Sequence, residues 1–120
     1  MSSFTTKLVV SPMLDGRKWR LVNQFTYHIG SKYSNDYIHV PADFITDFAS
    51  IPWVLWAFLP AWGKYGKAAV LHDWLYQTHC KTRKEADDIF YKAMLVSGTK
   101  EWKAWIMYYA VRIFGWLAWH

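Results

Sequence analysis

The chain has a single cysteine, Cys80, among its 120 residues. An intrachain disulfide is therefore excluded, and the composition is typical of a protein made for a reducing compartment. The first residues, MSSFTTK, also lack the basic and then apolar pattern of a secretory signal peptide. We therefore expect a chain that no signal peptide exports.

Runs of like charge are missing as well. The chain carries 14 Lys and Arg against 9 Asp and Glu, a net charge of +5, with no five basic residues in succession. Such scattered charge does not form a nucleic-acid footprint and predicts at most a weak preference for anionic surfaces. Aromatic residues are abundant instead, with 9 Trp, 8 Tyr and 7 Phe. So many rings either fill a bulky core or form a surface that a partner covers.

The first 50 residues have the pattern of short strands. Strands are predicted at 7–10, 19–29 and 37–40, and apolar residues occupy mostly alternate positions in the second of them. Pro41 should end the pairing of the third strand. We expect a small antiparallel β-meander here.

Residues 53–119 have helical patterns. A short helix at 53–59 should end at Pro60, and another is predicted over 67–79. Thr82 and Glu85 have the spacing of a capping box, which begins a helix that should end near Gly98. A last helix is predicted over 99–119. The whole chain, 1–120, is predicted to be one α+β domain: the β-meander, a helical hairpin, and a long aromatic-rich C-terminal helix.

The last helix is apolar but does not have the pattern of a membrane span. Between Ala104 and Trp119 the one charged residue is Arg112. Sixteen helical residues rise about 24 Å, less than the ~30 Å hydrocarbon core, and Arg112 would lie near its middle. The helix is expected either to be buried or to contact a lipid surface, another protein or a second copy of the chain. The contact residues would be Trp102, Trp105, Tyr109 and Trp116.

Polar residues of the kinds used in catalysis lie on the two middle helices, among apolar neighbours. They are His72, Asp73, Tyr76, Asp87 and Asp88. His72 and Tyr76 are four residues apart and share a helix face. In an antiparallel hairpin turning near Lys81, Asp87 lies about one helical turn from His72. Asp73 is rotated by ~100° from His72 and faces another direction.

This arrangement predicts a His–Asp pair for general-base hydrolysis of an ester. Neutral His72 would take a proton from water, while Asp87 would fix its tautomer and stabilise the imidazolium. A cation at Asp73 would polarise the ester oxygen. The alternative is a buried His–Asp–Tyr hydrogen-bond network that ties two helices together without catalysis.

Two other constellations compete with this one. Asp47 and Ser50 could join His72 in a Ser–His–Asp hydrolase, although the Gly-x-Ser-x-Gly motif is missing; in the plainer interpretation they cap a helical turn. His72, His79 and Cys80 suggest zinc, but seven helical positions separate two ligands by ~10 Å, too far for one tetrahedral ion. Zinc is therefore disfavoured, and no nucleotide cofactor is expected.

Several segments carry a family resemblance. They are 46–52 (TDFASIP), Gly66, 68–76 (AAVLHDWLY) and 86–90 (ADDIF). From about Phe44 onward the chain resembles short phage and prophage proteins catalogued as domain of unknown function 1353. The resemblance implies a phage or prophage origin, a location in the host cytoplasm or the virion, and another phage protein as a protein partner. It implies no established activity.

The pattern His72-Asp73-x-x-Tyr76, followed by Ala86-Asp87-x-x-Phe90, also resembles the two-helix catalytic core of phospholipases A2. The resemblance implies His72 as the base, Asp73 as a calcium ligand, Tyr76 as a support and Asp87 as the partner of His72. Phospholipases A2 take further calcium ligands from a glycine-rich loop. In this chain residues 46–52, which contain no glycine, would have to take the place of that loop. Two hypotheses result: a small lipid-directed hydrolase, and a non-enzymatic virion or host-interaction protein.

Overall fold

The computed structural model describes residues 3–4, 10–12, 18–30, 36–46, 66–117 and 119. The chain divides into two compact units, Met1–Asp47 and Phe48–His120. The described elements of the first unit are strands and those of the second are helices. The fold is therefore α+β, as the sequence predicts.

Among the described residues, the N-terminal unit contains two antiparallel sheets of three strands each. The strands are β1 Ser3–Phe4, β2 Val10–Pro12, β3 Trp19–Leu21, β4 Phe25–His28, β5 Tyr37–Val40 and β6 Ile45–Thr46. Their order is β1-β4-β5 in one sheet and β2-β3-β6 in the other. Between β4 and β5, Phe25 lies opposite Val40 and Tyr27 opposite Ile38. All four of these side chains are buried and form the core of the unit.

The strand predicted over 19–29 is interrupted at 22–24. Leu21 and Phe25 are buried, whereas Asn23 between them is exposed. In an unbroken strand Asn23 would share a face with Leu21 and Phe25, and its amide would be buried with them. The bend keeps the amide in water. Strand β5 has the predicted bounds and is followed by Pro41, whereas of the strand predicted over 7–10 the described residues include Val10 alone.

The C-terminal unit contains α1 Gly66–Thr78, α2 Arg83–Val96 and α3 Glu101–Phe114, which continues into a 3₁₀ turn at Gly115–Leu117. The predicted capping box is confirmed, because the Glu85 N–H donates to Thr82 Oγ1 at 3.1 Å and the Thr82 N–H to Glu85 Oε1 at 3.0 Å. Gly98, with φ of +95°, follows α2 as predicted. The helix predicted over 53–59 lies outside the described residues.

The helix α1 is buried on most sides. Its buried residues include an unbroken run over 68–73, whereas α2 and α3 each bury one face. Because α1 is so enclosed, its polar residues His72 and Asp73 lie in the interior and need partners there. No helix among the described residues is long and apolar enough to cross a membrane.

Candidate functional site

The centre of the helical unit is a contact between His72 of α1 and Asp87 of α2. His72 Nε2 lies 2.7 Å from Asp87 Oδ1, and both side chains are completely buried. The two helices meet because the chain turns back within 79–82, where the Thr82 capping box begins α2. The predicted hairpin thus brings the imidazole and the second-helix carboxylate into direct contact.

Tyr76 completes the group that the sequence predicts. Its hydroxyl donates to Asp87 Oδ1 at 2.6 Å, so one carboxylate oxygen contacts both α1 residues. The His72 ring is flanked by the Tyr76 ring at 4.2 Å and the Phe90 ring at 4.6 Å between centroids. These contacts hold the imidazole in one orientation.

Two arginines bind the same carboxylate from the other side. Arg112 Nη1 donates to Asp87 Oδ2 at 2.9 Å, and Arg83 Nη1 lies 3.7 Å from that oxygen. Arg83 also donates to the backbone carbonyls of Val111 and Arg112, near the C-terminus of α3, at 3.3 Å each. Asp87 therefore links α1, α2 and α3.

Sequence reasoning did not find these arginines as site residues. The signal for Arg112 was present, since it is the one charged side chain in the run 104–119. A lone charge in an apolar helix needs a counter-charge, and Asp87 supplies it. Arg83 offered no comparable signal, because a basic residue in the first turn of a helix is usually solvated.

The pKa directions define the protonation states of the pair. Burial lowers the pKa of His72, although the hydrogen bond to Asp87 and its charge oppose that effect. Burial alone would raise the pKa of Asp87, but the hydrogen bonds from His72, Tyr76 and Arg112 outweigh it, and the pKa is lowered. Burial and the bond to Asp87 raise the pKa of Tyr76. A neutral imidazole therefore donates its Nε2–H to a carboxylate, and the proton-accepting nitrogen of this tautomer is Nδ1.

Asp73 lies in a separate environment, as its helical position predicts. Its side chain is nearly fully buried, and Oδ2 accepts a hydrogen bond from Gln77 Nε2 at 3.0 Å. The described residues contain no group of three or more His, Cys, Asp or Glu side chains that could hold a metal ion. The role of Asp73 as a calcium ligand, which the resemblance to phospholipases A2 implies, stays a prediction.

The remaining predicted candidates fall elsewhere. Asp47 and Ser50 lie outside the described residues. Asp88 is on another side of α2, where it accepts from Lys84 Nζ at 2.9 Å and from the Tyr108 hydroxyl at 2.6 Å. The carboxylate of Asp88 raises the pKa of Tyr108 to about 12. His79 stacks on Trp119 with the ring centroids 3.9 Å apart.

Comparison with known proteins gives a family but no activity. A family model described as "Protein of unknown function (DUF1353)" matches residues 19–111, a range that begins upstream of the segments carrying the resemblance. Two curated relatives are uncharacterized proteins of Sinorhizobium fredii. Protein y4iH is 46% identical over 72 residues, 58% of this chain and 30% of the relative. Protein y4jT is 38% identical over 78 residues, 63% of this chain and 23% of the relative.

The chain thus matches less than a third of the length of these curated relatives. No solved structure matches the chain significantly.

Proposed function

The chain belongs to the DUF1353 family of proteins of unknown function, and from the geometry of its helical unit we propose that it is a small ester hydrolase with His72 as the general base. The observation that carries this proposal is the His72–Asp87 contact at 2.7 Å, with the Tyr76 hydroxyl on the same carboxylate oxygen. This is the constellation that a buried base needs to hold one tautomer and to stabilise its own cation.

In the proposed reaction, Nδ1 of His72 removes a proton from a water molecule as the water oxygen attacks the ester carbonyl. The imidazolium that forms is stabilised by the Asp87 carboxylate through Nε2. When the tetrahedral intermediate collapses, the imidazolium returns the proton to the departing alcohol oxygen. Tyr76 and Arg112 act on Asp87 and keep it ionised and oriented throughout.

Two features set the conditions for this reaction. The lowered pKa of His72 keeps the imidazole neutral at pH 7, which is the form a base requires. The side chain exposes none of its surface, so the proposed reaction requires the packing around His72 to open before water can reach Nδ1. We propose a phospholipid ester as the substrate, on the strength of the resemblance to phospholipases A2 in residues 72–90.

The test is fatty-acid release from phospholipid vesicles, with calcium and with a chelator. We expect His72→Gln and Asp87→Asn to lower the rate by about 10²–10⁴-fold, the usual contribution of a general base. His39→Gln, on an exposed strand position, is the matched control and should keep the wild-type rate. Equal rates for wild type and His72→Gln, with matching circular dichroism spectra, would refute the role of His72. A rate that chelation leaves unchanged would refute the predicted role of Asp73 as a calcium ligand.

A second candidate is a non-enzymatic phage protein of the virion or host cytoplasm, in which the network is structural. The observation that favours it is the complete burial of Asp87 among donors from His72, Tyr76 and Arg112. This candidate predicts no turnover of any ester and a loss of several kcal/mol of stability in Asp87→Ala, the scale for breaking a buried charge network. Measurable, His72-dependent hydrolysis would exclude it.

A further inference from the structure

The outer face of α3 carries an apolar stripe with an unusual order. Ala104, Met107 and Val111 form the buried face of the helix. On the opposite face, large apolar side chains are 43–62% exposed. They are Trp102, Ile106, Tyr109, Ile113 and Trp116, which we call the outer stripe.

The spacing of the outer stripe is that of a helix-pairing seam. Its members follow one another at intervals of four, three, four and three residues. This alternation is the a/d spacing through which two helices pack side by side. The stripe runs for about 21 Å along the helix, and its last member lies in the 3₁₀ turn that continues α3.

The order of the side chains in the outer stripe favours an antiparallel arrangement of α3 from two copies of the chain. Trp, Ile, Tyr, Ile, Trp reads the same in both directions, with Tyr109 at the centre. In an antiparallel pair centred on Tyr109, each Trp102 would face the Trp116 of the other copy. Each Ile106 would face Ile113 with a displacement of one residue along the helix, because Ile106 is three residues and Ile113 four residues from Tyr109. A two-fold axis requires this kind of self-complementary surface.

The exposed area of the outer stripe also fits a second copy of the chain as its partner. Five such side chains, each about half exposed, leave on the order of 600 Å² of mostly apolar surface. That is at the upper end of the apolar patches found on monomers. Covering it in two copies would bury about 1,200 Å², the lower bound of a standard protein interface.

We propose that α3 pairs antiparallel with α3 of a second copy of this chain through the outer stripe, about a two-fold axis at Tyr109. The proposal uses none of the His72 network and is independent of the hydrolase. A single charge at the centre of the stripe would enter the interface twice, which makes Tyr109 the most sensitive position.

The first experiment measures the molar mass of the purified chain by light scattering across a dilution series. We expect twice the chain mass of 14.2 kDa, and a loss of the dimer in Tyr109→Lys. Tyr37→Lys is a matched control, because Tyr37 is exposed to the same 57% as Tyr109 but lies on β5. A monomeric wild type, or a dimer that survives Tyr109→Lys, would overturn the proposal. A wild type that is monomeric and cosediments with lipid vesicles would assign the stripe to lipid instead.

The second experiment tests the antiparallel orientation by disulfide cross-linking in a Cys80→Ser background, since Cys80 is exposed. A mixture of Trp102→Cys and Trp116→Cys chains should cross-link under mild oxidation, whereas neither variant alone should do so. In the antiparallel pair, two copies of position 102 lie about 21 Å apart, beyond the reach of a disulfide. Cross-linking of Trp102→Cys with itself would show a parallel pair and overturn the proposed orientation.

Discussion

Gly115 leaves the space that the hydroxyl group of Tyr76 occupies. A β-carbon at position 115 would overlap the Tyr76 oxygen and would lie 3.2 Å from Nη1 of Arg83. The backbone of Gly115, with φ of −62° and ψ of −23°, is one that any residue adopts. Position 115 therefore needs glycine because the Tyr76 hydroxyl leaves no room for a β-carbon, and not because of its backbone conformation. The missing side chain lets the end of α3 approach the Asp87 network.

We expect Gly115→Ala to lower the free energy of unfolding by about 1–3 kcal/mol, the usual cost of overpacking. The gain from a less flexible unfolded chain, about 0.4–1 kcal/mol, offsets part of it. In a Tyr76→Phe background the oxygen is gone, so the same substitution should cost clearly less. Urea unfolding of the wild type, of Gly115→Ala, of Tyr76→Phe and of the double variant measures this double-mutant cycle. An equal cost in both backgrounds would show that the Tyr76 hydroxyl is not the obstacle.

Removing Arg112 should be among the more damaging substitutions in the helical unit. Arg112→Ala leaves the buried Asp87 carboxylate without its 2.9 Å charge partner. Breaking a fully buried pair costs about 3–5 kcal/mol, and we expect the lower end of that range because the Arg112 side chain is 29% exposed and Arg83 stays 3.7 Å away. Arg20→Ala is the control, because the Arg20–Asp43 pair is largely exposed and should contribute less than about 1 kcal/mol. Chemical denaturation measures both. Similar losses of unfolding free energy in the two variants would contradict the prediction that Arg112 stabilises the helical unit through Asp87.

The capping box at the start of α2 gives a smaller, local effect. Thr82→Ala removes the acceptor for the Glu85 N–H and should cost about 1 kcal/mol of stability. Thr82→Ser keeps an oxygen there and should stay within a few tenths of a kcal/mol of the wild type. Thermal unfolding followed by circular dichroism separates the two. Equal destabilisation by both variants would assign the loss to the methyl group instead of the cap.

The parts of the site that the sequence predicted are the local ones. His72 and Tyr76 share a face through helical periodicity, and the capping box fixed where α2 begins, so Asp87 could be placed near them. All of this lies within one hairpin. The predicted contact among the three side chains is confirmed, whereas their catalytic role stays a prediction.

The parts that were missed depend on α3. Arg112 is 25 residues from Asp87 along the chain, and no spacing rule relates two residues at that separation. Gly115 was also missed, since its importance depends on where the Tyr76 hydroxyl lies. In the N-terminal unit, the pairing of β1 with β4 and of β3 with β6 is equally non-local, and alternation alone did not predict the bend at 22–24.

The depressed pKa of His72 makes stability dependent on pH in a defined direction. In the folded chain the imidazole stays neutral, while in the unfolded chain it takes up a proton as the pH falls through its ordinary pKa of 6.5. The contribution of His72 to the free energy of unfolding is therefore complete above pH 6.5. It is lost as the pH falls below that value, by up to about 1.4 kcal/mol per pH unit. Asp87, whose pKa is also lowered, adds a further loss below its ordinary 3.8.

Urea unfolding between pH 8 and pH 5 isolates the His72 contribution. His72→Gln keeps a side chain that can donate to Asp87 but removes the titrating ring, so the difference in stability from the wild type should narrow as the pH falls. If the difference between wild type and His72→Gln stays constant across this range, the folded chain does not hold His72 in its neutral form.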